Sequence, residues 1–251
     1  MSLVDHRRAK LGAYAPYFMR DYLTNHGPGT VIVIVLIAFL SIKGFTAAMS
    51  VSASNIPADA ARRMLRGLVG TFAFLATFFA TNGIIANDRK HGHYKFLFAK
   101  PVSPPLYYAT TFAVYGIGVL ITALALIGMW SLVVRPVFPW ELFAVVALMY
   151  LMYGGVGFLL SAALRYDWLS LVTVILAANI GWSLWGDSTN PARWLLYVLP
   201  PVHRVDAVYA LVQRDPGVVV PWGSIAWLFA YGLICFVLGM YVIRRRPLGT
   251  S

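Results

Sequence analysis

His91 and His93 flank a single glycine in a polar, basic stretch, and two imidazoles that close could pinch a metal ion. A metal site needs three or four ligands in a suitable shell, and His6, His26 and His203 are scattered elsewhere along the chain. The stretch reads as a polar loop, and no metal is expected. Cys235 is the only cysteine, so no intrachain disulfide can form. The nine acidic residues fall in loops or at the ends of apolar runs, which removes the buried carboxylate that proton-coupled carriers use as a relay. H-E-x-x-H, G-x-S-x-G and G-x-x-x-x-G-K-[ST] are all missing. No catalytic residue is expected, and if ATP drives this protein, another chain must bind it.

A few polar residues do interrupt the apolar runs. Thr77 and Thr81 are four apart and share a helix face, which either lines a pathway or bonds its hydroxyls to carbonyls of its own helix. Asn82 follows them, and Asn179 has four hydrogen-bonding valences to satisfy, at a helix contact or in a pore. Lys43 either snorkels towards an interface or faces a wet cavity. Gly116, Gly118, Gly154, Gly155, Gly157, Gly232 and Gly239 are small-residue sites that allow helices to approach closely.

The elements that carry these residues follow from composition. Hydrophobic residues make up 60% of the chain and charged residues 12%, with a mean hydropathy of +0.73. Soluble domains carry about 25% charged residues, so a membrane protein is expected. A helix needs roughly 20 apolar residues to cross the hydrocarbon core. By that ruler the spans are 30–51, 66–86, 106–134, 141–164, 168–186 and 222–243. Their length and free use of Leu, Ala and Gly favour helices over barrel strands. The expected fold is an all-α integral membrane protein with six transmembrane helices. An interfacial helix precedes them, and short re-entrant helices lie between spans five and six.

Residues 1–29 form the N-terminal region, 30–243 the membrane domain and 244–251 a basic tail. In the first, Leu11, Tyr14 or Ala15, Phe18 and Tyr22 share a face, predicting a helix lying in the interface with its tyrosines at headgroup depth and Arg20 and Asp21 towards water. His26-Gly27-Pro28-Gly29 is expected to break it. Between spans five and six, 187–221 holds an apolar piece too short to cross, Pro200-Pro201, and a potential amphipathic helix over 205–213.

Six crossings put both termini on one side. Twelve Lys and Arg lie at that side, grouped near residues 7–20, 89–100, 165 and 244–246. Eight lie opposite: Lys43, Arg62, Arg63, Arg66, Arg135, Arg193, Arg204 and Arg214. The excess predicts cytoplasmic termini, with Arg62, Arg63 and Arg66 running against it. The net charge of +11 then belongs to topology and anionic lipid, and no nucleic-acid partner is expected. No cleavable leader is apparent, so the first span is expected to be retained.

The loop between spans two and three, NDRKHGHYKFLFAKPVSPPLYY, resembles the connecting loop of ABC type-2 transporter permeases. Asp88, Gly92, Leu97 and Pro101-Val102-Ser103 match that pattern. His93-Tyr94-Lys95 stands where Thr-Leu-Glu is common, and Thr110 or Thr111 stands where a Lys is often found. The resemblance implies an exporter permease in the plasma (inner) membrane, paired with a second permease copy and with two copies of a separate ATP-binding-cassette ATPase. ATP and Mg2+ would sit on that ATPase, with no cofactor on this chain. It further implies that the loop, 87–105, seats on the ATPase through Asp88, Arg89, Gly92, Tyr94, Leu97, Pro101 and Ser103. Thr77, Thr81, Asn82, Asn179 and Trp182 would line the pathway between the two permeases. The alternative is a membrane subunit that carries no solute and passes ATPase motion to, or anchors, a periplasmic partner.

Overall fold

The computed structural model describes residues 14–50, 52, 55–81, 84–85, 88, 103–134, 136, 139–164, 167–186, 191–213 and 219–245. Among them there is no strand. The helices are α1 (Ala15–Asp21), α2 (Gly27–Met49), α3 (Ala58–Thr81), α4 (Pro104–Val133), α5 (Pro139–Ala163), α6 (Asp167–Trp185), α7 (Val205–Tyr209) and α8 (Trp222–Arg245). Five stretches are long and apolar enough to cross a membrane: Ala15–Met49, α3, α4, Trp140–Ala163 and α8. In α6 the apolar run is shorter, Ser170–Trp185. Asp88 after α3, the start of α4 and α1 meet at one end of the molecule, called the near side, and the starts of α3 and α8 meet α7 at the other, the far side.

Two boundaries differ from the sequence expectation. The Gly27-Pro28-Gly29 segment does not break the chain: a single π turn, Tyr22–His26, leads from α1 directly into α2, and Pro28 occupies its first turn. Pro28 has no N–H to donate, and the break in the ladder falls beside the π turn, where the Gly27 N–H bonds to the Tyr22 carbonyl five residues back. The continuous stretch Ala15–Met49 has 35 residues. At 1.5 Å per residue it is about 52 Å long, well beyond the roughly 30 Å of hydrocarbon, so part of it lies outside. The second difference is α3, which starts at Ala58, two turns before the expected Arg66. Hydropathy sees only the apolar part of a helix, whereas Asp59, Arg62 and Arg63 continue the same helix beyond it.

Local sequence sets the other ends. Ser103 caps α4, its hydroxyl accepting from the Leu106 N–H at 3.4 Å, with prolines in the first turn. Ser50 ends α2 in the left-handed conformation, φ 53°, its N–H bonded to the Thr46 carbonyl.

Helix α5 is the hub, packing on α8, α3, α4 and α6. Lipid is as apolar as leucine, so close packing must hold these helices together. The closest approach is the crossing of α5 and α8. A Cβ on Gly155 would overlap the Gly232 carbonyl, and one on Gly232 would lie 2.7 Å from the Leu151 carbonyl carbon. Leu142, Val146, Met149 and Met152 fill the centre with no exposure.

Candidate functional site

On the near side, α4 presents Tyr108 and Tyr115, seven residues and two turns apart on one face. The Tyr108 hydroxyl donates to the Asp88 carboxylate at 3.1 Å, at the start of the loop between α3 and α4. The Tyr115 hydroxyl donates to the Asp21 carboxylate on α1, whose other oxygen accepts from Asn25 Nδ2 at 2.6 Å. Tyr22 is fully buried: its ring fills a notch that a Cβ on Gly118 would obliterate, and its hydroxyl lies 3.3 Å from Thr122 Oγ1. Phe18 stands edge-on to Tyr107 at 5.1 Å, and the His26 ring is 5.4 Å from that of Tyr115. The expected apolar face of α1 is therefore present, but it packs on protein. Tyr22 is enclosed by protein, and Asp21, expected to point towards water, turns into α4, where a buried phenol supplies it a donor.

At the end of α3, Thr81 Oγ1 donates to the Thr77 carbonyl at 2.8 Å. Thr77 is fully buried, and its own hydroxyl has no hydrogen-bond partner. Both threonines face the small residues of α5: a Cβ on Gly154 would come 3.3 Å from Thr77 Cγ2, and one on Gly157 3.0 Å from Thr81 Oγ1. The two are thus enclosed by α3 and α5 of one chain. Asn179 behaves differently. It sits on an exposed face of α6 with Leu176 and Ile180, and its Nδ2 donates to the Ile175 carbonyl at 2.9 Å. Lys43 is exposed on α2, its ammonium 5.7 Å above the Phe39 ring.

The far side is closed by short turns over Pro191–Val198 and Val202–Arg204, then α7 and Ala210–Gln213. Val205, Val208, Tyr209 and Val212 are buried, which is the inward face expected of an amphipathic helix. Tyr209 lies over Gly70 of α3, where a Cβ would approach its ring to 3.2 Å. Burial pushes the Tyr209 hydroxyl well above the ordinary phenol range, so it stays neutral. Arg66 clasps the same turn twice, through the Asp206 carboxylate at 3.0 Å and the Asp206 carbonyl at 2.9 Å. Trp182 carries the cap from below, its ring 3.7 Å from that of His203 and 5.4 Å from that of Tyr197. Arg204 Nε donates to His203 Nε2 at 3.3 Å, its guanidinium lies 5.4 Å from the Trp227 ring, and Tyr231 donates to the Val198 carbonyl at 2.7 Å. Above the glycine crossing α5 and α8 splay apart. They leave an apolar cleft of about 620 Å³, with Leu148, Leu151 and Phe229 on its walls, Leu211 from the cap and Glu141 as the one acid among its described residues.

Asp88 and Ser103, two of the residues assigned to the loop, are thereby fixed on or beside α4. Arg89, Gly92, Tyr94, Leu97, Pro101 and Asn82 lie outside the described residues, as do His91 and His93. Sequence reasoning missed Tyr108, Tyr115, Arg66 with Asp206, and Tyr209. The available signal was the tyrosine spacing in α4 together with Gly118 three residues beyond Tyr115, a ring-sized gap beside a phenol.

A family model described as "ABC-2 family transporter protein" matches residues 57–241. No curated protein matches the chain.

Proposed function

The chain belongs to the ABC-2 transporter family, as a multi-pass membrane permease of an ABC transporter, and on that premise we propose that it is an exporter subunit driven by a separate ATPase. Two copies of that ATPase bind at the near side, which is cytoplasmic, and a second permease, identical or closely related, completes the pathway. Helix α6 then counts as the sixth crossing, since 19 residues reach about 28 Å. The turns between α6 and α8 dip into the outer leaflet of the plasma (inner) membrane. ATP and Mg2+ stay on the ATPase.

The observation that carries this function is the match over 57–241, which includes the whole loop from Asp88 to Ser103. Prolines at the start of α4 support a stiff link, so a push on the loop moves the helix with it. Loop residues Asp88, Arg89, Gly92, Tyr94, Leu97, Pro101 and Ser103 make the contact. Asn179, Trp182 and Asn82 lie along the pathway; Thr77 and Thr81 join it only when α3 and α5 part. In the alternative, a motion-transmitting subunit without cargo, segments 62–66 and 204–214 would serve as docking surfaces, with Arg66 and Arg204 among their groups. Both are engaged within the chain, which favours transport.

The test is co-purification in mild detergent. The ATPase subunit is expected to come down with the chain, and Gly92→Leu or Pro101→Ala to uncouple hydrolysis without releasing it. No associated ATPase sinks the proposal. Asn179→Leu and Asn82→Leu, with assembly intact, are expected to alter export or cargo-stimulated hydrolysis; if neither changes, they are not on the pathway.

A further inference from the structure

One face of α4 receives two stretches that are remote in sequence. Near its start, Tyr108 holds Asp88 of the loop; two turns later, Tyr115 holds Asp21 of α1. Each bond sets a neutral phenol against a carboxylate, and charge-assisted bonds of this kind are about twice as strong as neutral ones. The rings of Phe18, Tyr22, Tyr107 and His26 pack around them, which lowers the local dielectric and fixes the geometry. The two anchoring points are about 10 Å apart along a continuous helix.

What α1 does next is set by its junction. It continues through the π turn into α2, so a tilt of α1 is carried into the first crossing. Tyr22 allows little slip, because its ring is enclosed by the Gly118 notch and its hydroxyl meets Thr122. Taking the ATPase-driven permease reading as its basis, we propose that Tyr108 and Tyr115 are positioning residues. They tie the loop to α1 through α4, so that displacement at Asp88 moves α1 and α2 together with α4. Coupling then runs through the two phenols to the first crossing as well as through the prolines to α4 itself.

The test uses the complete complex with its ATPase in lipid nanodiscs, in a Cys235→Ala background. Spin labels at Tyr17→Cys on α1 and Ala226→Cys on α8, both exposed, report the distance between α1 and α8. Wild type is expected to change that distance between the ADP-bound and the vanadate-trapped states. Tyr108→Phe and Tyr115→Phe are each expected to keep the ATPase bound, keep hydrolysis and lose the shift, with the double variant no worse than either alone. If the phenylalanine variants do not assemble, Asp88→Asn and Asp21→Asn replace them; they keep an acceptor and are expected to retain part of the shift. A wild-type shift in every assembled variant, or no shift in wild type with the ATPase bound and turning over, overturns the inference. Failure of the ATPase to bind wild type removes instead the reading on which it rests.

Discussion

The near and far ends of the molecule fasten their short elements by opposite means. At the near end, Asp21 and Asp88 meet phenols inside a shell of rings, and Tyr22 is set into α4 with no exposure. At the far end, the cap is clasped by an ion pair whose Asp206 partner is 82% exposed, by bonds to the Asp206 and Val198 carbonyls, and by ring stacking and one valine face. Hydrogen bonds to charged groups are worth about 1.5–3 kcal/mol, whereas exposed ion pairs bring about 0–1 kcal/mol. The near end is built to move as one piece with α4. The far cap is the less firmly fastened of the two, since its ion pair stands largely in solvent.

Both ends hang from the glycine crossing of α5 and α8, so the largest effect should erase the contrast altogether. At Gly155 and Gly232 the obstructing atoms are backbone, which cannot rotate away. Gly232→Leu is expected to cost more than about 3 kcal/mol and to abolish a cooperative thermal transition in nanodiscs. A transition within a few degrees of wild type would mean that the crossing is looser than its geometry.

The next effect separates the ends. A side chain at Gly118 displaces the Tyr22 ring from an enclosed notch, while one at Gly70 meets only the flank of Tyr209. Gly118→Val is therefore expected to release α1, read as proteolytic cleavage around residues 14–26 and faster amide exchange there. Gly70→Ala should leave the cap in place with a change below about 1 kcal/mol. Equal cleavage at both ends would remove the distinction between a rigid near end and a yielding far one.

These positions also show what the sequence carried. Glycine at 118, 155 and 232 was legible as close packing, because small residues in an apolar run have few other uses. Five of the spans were legible for the same reason that α3 was truncated: hydropathy reports apolar length, and Asp59, Arg62 and Arg63 precede the apolar run. The partner of α1 was not legible. Phe18 and Tyr22 at helical spacing fit a lipid surface and a protein groove equally, and only the fold brings Gly118 opposite Tyr22, 96 residues away in sequence. The same holds for Arg66 and Asp206, which are 140 residues apart. The family resemblance placed Asp88 and Ser103 in the loop, but no spacing rule said that Tyr108 would hold one of them.

A smaller change tests the near end bond by bond. Asp21→Ala leaves the Tyr115 hydroxyl without its acceptor and frees Asn25. The expected loss is about 1–3 kcal/mol, seen as a lowered melting temperature that 0.5 M salt does not alter, because the pair is half-buried. A salt-sensitive loss would indicate that α1 is held by long-range charge and not by the phenol.

The far clasp predicts the smallest effect and the opposite salt response. Arg66 is one-third exposed and Asp206 more so, and screening at 0.15 M salt reaches about 8 Å. The carboxylate arm of the clasp should therefore be nearly lost in high salt, while the bond from Arg66 to the Asp206 carbonyl persists because it involves only one charge. Asp206→Asn removes the first arm and keeps the second, so it is expected to cost less than about 1 kcal/mol and to match wild type at 1 M salt. Arg66→Ala removes both, and should raise amide exchange across 205–213 at every salt concentration. If the two variants behave alike, the carbonyl arm contributes nothing and the cap rests on α3 through Tyr209 and its valines alone.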